Sequence, residues 1–192
     1  VLSIVAVIPA IKMCLYRTFD VDTQSLLEYC KQNGYSQEYC IFVDFSKPQG
    51  VNRFCIYDFK QVKIVAKSLC AQGRGRENNI FNHTFSNEIG SSYSSLGKYR
   101  VRDLVKMSKA IMGHGYLMHG LEPTNSNARE RAIMIHRGNV GFETFPLPCI
   151  PMSKGCFAVS NKMMKAIAEV ESKTDKPILL YAYKEPLRLN CE

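Results

Sequence analysis

The sequence predicts an α+β domain dominated by a β-sheet, and three observations carry that prediction. Short apolar runs of β-forming residues recur at 39–44, 54–59, 62–69, 132–136 and 177–183. Only two segments, near 22–32 and 161–172, combine helical apolar spacing with a capping residue. The order is a helix, many strands, then a helix and a strand, which points to one sheet carrying few helices.

Asp22 or Thr23 can cap the first helix. Leu26, Leu27 and Cys30 give it an apolar stripe, and Asn33-Gly34 supplies a stop. Residues 39–44 follow as a short apolar strand. Ser46-Lys-Pro-Gln-Gly50 then makes a turn. Residues 54–59 and 62–69 read as paired strands around a turn near Lys60. Between 73 and 98 Gly, Asn and Ser dominate. A polar loop of this length inside a domain is functional or disordered. Residues 101–111 fit either a helix or a strand and turn. Residues 132–136 form a β-type run ending at a histidine, and 145–151 hold three prolines and are expected to be irregular. Ser160 caps the second helix, with Met163, Met164, Ile167, Ala168 and Val170 apolar. Residues 177–183 are a final buried strand.

The chain has 192 residues, 46% apolar and 22% charged, the balance of an ordinary globular protein rather than a disordered one. The one strongly apolar stretch, 1–11, contains Pro9 and is followed by Lys12, so it is too short to span a bilayer by itself. That excludes a multi-span membrane protein. Starting at Val1, residues 1–20 are expected to be the truncated tail of an export signal or membrane anchor with its linker, and 21–192 the domain proper. The 25 Lys and Arg against 17 Asp and Glu give a net charge of +8, which favours anionic partners. No block of like charges, RNA-binding aromatic signature or zinc-finger spacing points to nucleic acid. Gly73-Arg-Gly75 lacks the rest of a phosphate loop.

Eight cysteines include no Cys-x-x-Cys, and four histidines include no His-x-x-x-His pair, so nothing has metal-site spacing. Cys40 and Cys55 sit in apolar runs and read as small buried hydrophobes. Cys156, in Ser153-Lys-Gly-Cys156, is different. A nucleophilic thiol needs exposure, a nearby cation or base, and backbone N–H groups facing the developing oxyanion. Lys154 raises the local potential, Gly155 lets a carbonyl approach, and a helix N-terminus follows at 161. His136, at the end of its strand, can return across the Pro-rich segment as the base.

His136, followed by sixteen residues and Ser153-Lys-Gly-Cys156, resembles the catalytic signature of the L,D-transpeptidases of the YkuD type. More of the chain is similar to the murein L,D-transpeptidase branch: Tyr39-Cys-Ile-Phe-Val-Asp-Phe-Ser46, Asn52-Arg-Phe-Cys-Ile-Tyr-Asp58, Phe85-Ser-Asn-Glu-Ile-Gly-Ser91 and Ser94-Ser-Leu-Gly-Lys-Tyr99. The likeness continues through His119-Gly-Leu-Glu122 and the run from Asn125 to His136, and covers roughly residues 25 to 183. The resemblance implies a β-rich catalytic domain with a mixed sheet or sandwich. It implies an exported bacterial enzyme of the cell envelope that acts on peptidoglycan stem peptides without metal or organic cofactor. Cys156 would be the nucleophile and His136 its base. The bond between diaminopimelate and D-alanine would break to a thioester, which an amine acceptor resolves. A hydrolytic relative using water, an L,D-carboxypeptidase, and a non-catalytic peptidoglycan-binding module are the alternatives. Backbone N–H groups around Lys154, Gly155 and Cys156 would face the oxyanion. Ser153 would hold the turn or orient substrate.

The chain departs from the family pattern at two places. Ala158 stands where many relatives carry Arg or Asn, so the substrate carboxylate needs another partner. Arg129, Arg131, Lys154 and Asn127 are the candidates. Gln72 stands where this branch usually carries His. His119 would either line the cleft or satisfy a buried carbonyl.

Overall fold

The computed structural model describes residues 19, 21–78, 83–106, 113–138 and 153–184. Residues 1–18 of the expected leader, the Pro-rich 145–151 and the far part of 101–111 lie outside the described residues.

Helix α1 spans Thr23–Asn33. Asp22 caps it by accepting the backbone N–H groups of Gln24 and Ser25, and Gly34 ends it in the left-handed region at φ 76°. Strands β1 (Tyr39–Asp44), β2 (Phe54–Asp58) and β3 (Lys63–Ser68) form a meander at the predicted positions. Helix α2, Asn161–Glu171, starts at Ser160, whose hydroxyl accepts the Met163 N–H. Strand β9, Ile178–Tyr183, is buried as its sequence implies.

Three strands have no counterpart in the sequence reading. Cys70–Ala71 is β4, His114–Gly120 is β6, and Phe157–Val159 is β8. Two or three residues carry no detectable period, and β6 is bracketed by glycines and histidines that read locally as turns. The ambiguous segment after the polar loop resolves as strand β5, Gly97–Lys106. Tyr99 and Val101 face inward while Lys98, Arg100 and Arg102 alternate outward, and a bulge lies between Val101 and Asp103. The remaining strand, β7, is Met134–Arg137.

The nine strands among the described residues belong to one sheet, in the order β3-β2-β1-β9-β5-β6-β7-β8-β4. β1 with β9 and β7 with β8 are parallel, and the other pairs are antiparallel. This is a sheet-dominated α+β fold with two helices among the described residues. The sheet nearly closes on itself. β3 and β4, its two ends in pairing order, are joined through Leu69 alone. The fully buried Arg53 guanidinium, on the residue just before β2, donates to Cys70 O of β4 at 2.9 and 2.7 Å, tying the start of β2 to the far end of the sheet.

That curvature wraps the main core. Ile41, Val43, Phe54, Ile56, Tyr99, Val101, Ile135, Phe157 and Leu180 pack with Met163, Ile167 and Val170 of α2. Cys30 and Leu26 of α1 pack on the opposite face with Cys40, Phe42, Cys55 and Leu179. Cys40 and Cys55 are therefore the buried hydrophobes the sequence implies. β1 and β9 are covered on both faces, so they read as unbroken apolar runs rather than alternating ones.

Candidate active site

The two parallel strands β7 and β8 bring His136 and the Ser153–Cys156 turn together. His136 pairs with Ala158 and Ile135 with Phe157. Cys156 lies two residues before Ala158, about 6.6 Å back along the strand at about 3.3 Å per residue. The twofold alternation puts Cys156, Ala158 and His136 on one face of the sheet. Phe157 and Ile135 face the core on the other. The floor beside His136 is made of small side chains, because Ala158 in turn pairs with Ala71 of β4.

His136 is buried, and its Nδ1 lies 2.8 Å from Arg137 O. A carbonyl only accepts, so the proton sits on Nδ1 and the Nε2 lone pair is left to act as a base. Burial pushes the imidazole below its ordinary value of 6.5, which the Arg137 carbonyl partly opposes.

Cys156 is partly exposed, unlike the buried Cys30, Cys40, Cys55 and Cys70. Its Sγ sits 3.5 Å from Ala132 O, a residue held in the left-handed region at φ 52°. Burial pushes the thiol above its ordinary value of 9.0, while the Met134 N–H and the Arg131 guanidinium pull it down. The resting pair is thus neutral thiol and neutral imidazole. The expected help from a helix N-terminus is absent. β8 separates Cys156 from α2 by extended chain of about 15 Å, beyond the range of the helix end. Alkylation of Cys156 by iodoacetamide, followed by mass spectrometry of its peptide, is therefore expected to accelerate with rising pH through pH 9 without a plateau. A preformed thiolate–imidazolium pair would instead give a flat profile from acid pH upward, and that result would refute the neutral pair.

Ser153 holds the turn. Its hydroxyl donates to Cys156 O at 2.7 Å and accepts the Gly155 N–H at 3.1 Å. The Gly155 N–H is thereby spent, leaving those of Lys154 and Cys156, which no described backbone carbonyl takes. Gly155 itself has φ 120°, and a Cβ there would stand 2.6 Å from Ile133 Cδ1 and 2.7 Å from Tyr93 O. Only glycine fits this conformation.

The predicted substrate-binding residues divide. Lys154 and Arg129 are exposed. Arg131 is engaged by the polar loop instead, donating to Ser86 O at 2.8 Å and to Tyr93 O. Asn127 is clamped to Asn87 through its backbone N–H and side-chain amide, at 3.1 and 3.0 Å. His119 stands apart: Gly115 pairs with His136, and His119 is four residues further along β6, about 13 Å away. Its Nε2 meets Asp103 Oδ2 at 2.5 Å. It therefore contacts a carboxylate at the β5 bulge rather than a carbonyl or the thiol.

Residues the sequence reading did not single out complete the site. Arg74 N–H donates to Ser153 O at 2.8 Å, beside a bridge between Gly73 and Ser153, so the exposed Arg74 joins the rim. Ser94 is fully buried and contacts both strand-end turns. Gln72, noted from the sequence as a departure from the family pattern, is fully buried, and its side-chain O and N have no hydrogen-bond partner among the described residues.

Residues 13–183 match the L,D-transpeptidase catalytic domain family. The chain belongs to that family. A search of curated sequences finds no match. Among solved structures, the helical cell shape determining protein Pgp2 from Campylobacter jejuni superposes with a TM-score of 0.51 at 12% identity, over 80% of this chain and 50% of that one. The L,D-transpeptidase (residues 123–326) from Xylanimonas cellulosilytica gives a TM-score of 0.41 at 15% identity, over 79% of this chain and 62% of that one. This L,D-transpeptidase domain spans less than two thirds of each of those structures. At such identities the Pgp2 likeness concerns the fold alone.

Proposed function

We propose that this L,D-transpeptidase domain cleaves the peptide bond between an L-centre of diaminopimelate and D-alanine in a peptidoglycan stem, through a thioester on Cys156, and passes the acyl group to an amine of a second stem. One observation carries the reading: His136, with its Nδ1 proton committed to Arg137 O, stands on the same sheet face as the partly exposed Cys156 thiol. His136 Nε2 takes the thiol proton as sulfur attacks the carbonyl carbon. The oxyanion forms beside the Lys154 and Cys156 amides. As the C–N bond breaks, His136 returns the proton to the departing D-alanine amine. The acceptor amine then attacks the thioester, losing its proton to His136 while the sulfur leaves. Arg74, whose backbone is bonded to Ser153, and Lys154 supply exposed positive charge beside the turn to meet the stem's carboxylates, with the exposed Arg129 as a further candidate. Such a substrate lies in the cell envelope, so export, with association of the N-terminal segment with the membrane, belongs to the same proposal.

The test is incubation with a tetrapeptide-stem muropeptide, read by mass spectrometry. The expected result is an adduct on the Cys156 peptide that lacks D-alanine, and a cross-linked product when acceptor amine is present. Shortened stems alone, with acceptor present, would assign an L,D-carboxypeptidase. A folded protein that forms no adduct would sink the enzymatic reading and favour a peptidoglycan-binding module.

A further inference from the structure

Ser94 belongs to the polar loop, yet it is fully buried and lies between two segments remote in sequence. Its Oγ accepts the Gly73 N–H at 2.9 Å and donates to Gly155 O at 2.9 Å. Accepting from Gly73 leaves the hydroxyl's single proton for Gly155, so the two bonds support each other. Gly73 is locked in turn, because a Cβ there would stand 2.4 Å from Ser92 O and 2.7 Å from Ser94 N.

The Gly155 carbonyl belongs to the same rigid peptide unit as the Cys156 N–H. The described peptide bonds include no cis form. In a trans unit the C=O and N–H point in opposite directions. Whatever holds Gly155 O therefore also aims the Cys156 N–H. No described backbone carbonyl takes that N–H. Gly155 has no Cβ to restrict its ψ, the rotation that orients this peptide plane, and the hydrogen bond from Ser94 Oγ holds the plane at its carbonyl end.

We infer that Ser94 is a positioning residue for the acylation step: by holding Gly155 O it turns the Cys156 N–H outward as the oxyanion donor. The inference rests on the reading of Cys156 as an acylated nucleophile, and it assigns to Ser94 the electrostatic half of that step rather than the activation of sulfur.

Two electrophiles separate the roles. Iodoacetamide alkylates a thiol without forming an oxyanion, whereas p-nitrophenyl acetate acylates through one. Both are applied to the full chain, with the Cys156 peptide followed by mass spectrometry. Ser94→Ala is expected to lower acylation about 10- to 100-fold, approaching the loss of one oxyanion donor, with alkylation within about threefold of wild type. Ser94→Thr keeps the hydroxyl and is expected to retain the acylation rate to within about threefold. Equal losses in both reactions would show a merely structural role and overturn the inference, as would unchanged acylation. If Ser94→Ala fails to fold, the structure of the wild-type acyl-enzyme decides: the acyl oxygen at hydrogen-bond distance from Cys156 N supports the inference, and an oxygen turned away overturns it. A wild-type protein that is alkylated but never acylated by muropeptide would instead remove the underlying reading.

Discussion

Cys156→Ala is expected to abolish adduct formation with a tetrapeptide-stem muropeptide and to reduce turnover to background, because no other described cysteine is exposed to take over. Cys30, Cys40, Cys55 and Cys70 are all buried, and burial pushes Cys30 up to about 11 and Cys55 up to about 12. All four thiols are out of reach, and Cys30 and Cys55 stay protonated at neutral pH. His136→Ala should leave the thiol alkylatable but slow acylation by roughly 10²- to 10⁴-fold, the usual worth of a positioned base. The sulfur cannot compensate by itself, because its environment raises rather than lowers its proton affinity. Full muropeptide turnover by Cys156→Ala, with the fold intact, would refute the thioester route. A His136→Ala protein as fast as wild type would refute the base assignment alone.

Gly155→Ala is expected to have the second-largest effect, on stability and chemistry together. Its φ of 120° is strained for any residue with a Cβ, and that Cβ would press on Ile133 Cδ1 at 2.6 Å and Tyr93 O at 2.7 Å. Backbone strain and overpacking each cost about 1–3 kcal/mol, so a total near 3 kcal/mol follows, or a fall in Tm of about 6–12 °C. Relief of the clash must move the turn that Ser153 and Ser94 hold, so acylation should fall with it. Gly34→Ala is the control. Its φ is also positive, 76°, but a Cβ there meets open space, so it tests backbone strain without the clash and should cost about 1 kcal/mol. Thermal unfolding of both variants, with acylation of Gly155→Ala, checks this. Equal Tm losses in the two variants would show that the crowding at Gly155 is relieved at no cost.

Legibility from sequence followed the range of the forces involved. α1, α2, the β1–β2–β3 meander and β9 were readable because their caps, turns and apolar runs are local. The two-residue β4 and three-residue β8 were not, since such short strands exist only through partners far along the chain. The family resemblance pointed to Cys156 and His136. Their residue types and spacing also suit thiol chemistry, although the sequence overstated the helix-end contribution by missing the intervening strand.

The sequence by itself determined the sheet-dominated class and the burial of Cys40 and Cys55, and it singled out His136 and Cys156 as the candidate pair, because residue type, period and motif spacing are properties of the chain. The tertiary structure alone decided which neighbours do which work. Arg131 is turned onto the Ser86 and Tyr93 carbonyls, His119 onto Asp103, and Ser94 onto Gly73 and Gly155. Hydrogen bonds between segments tens of residues apart depend on where a curled sheet brings backbone groups, and no local pattern records that.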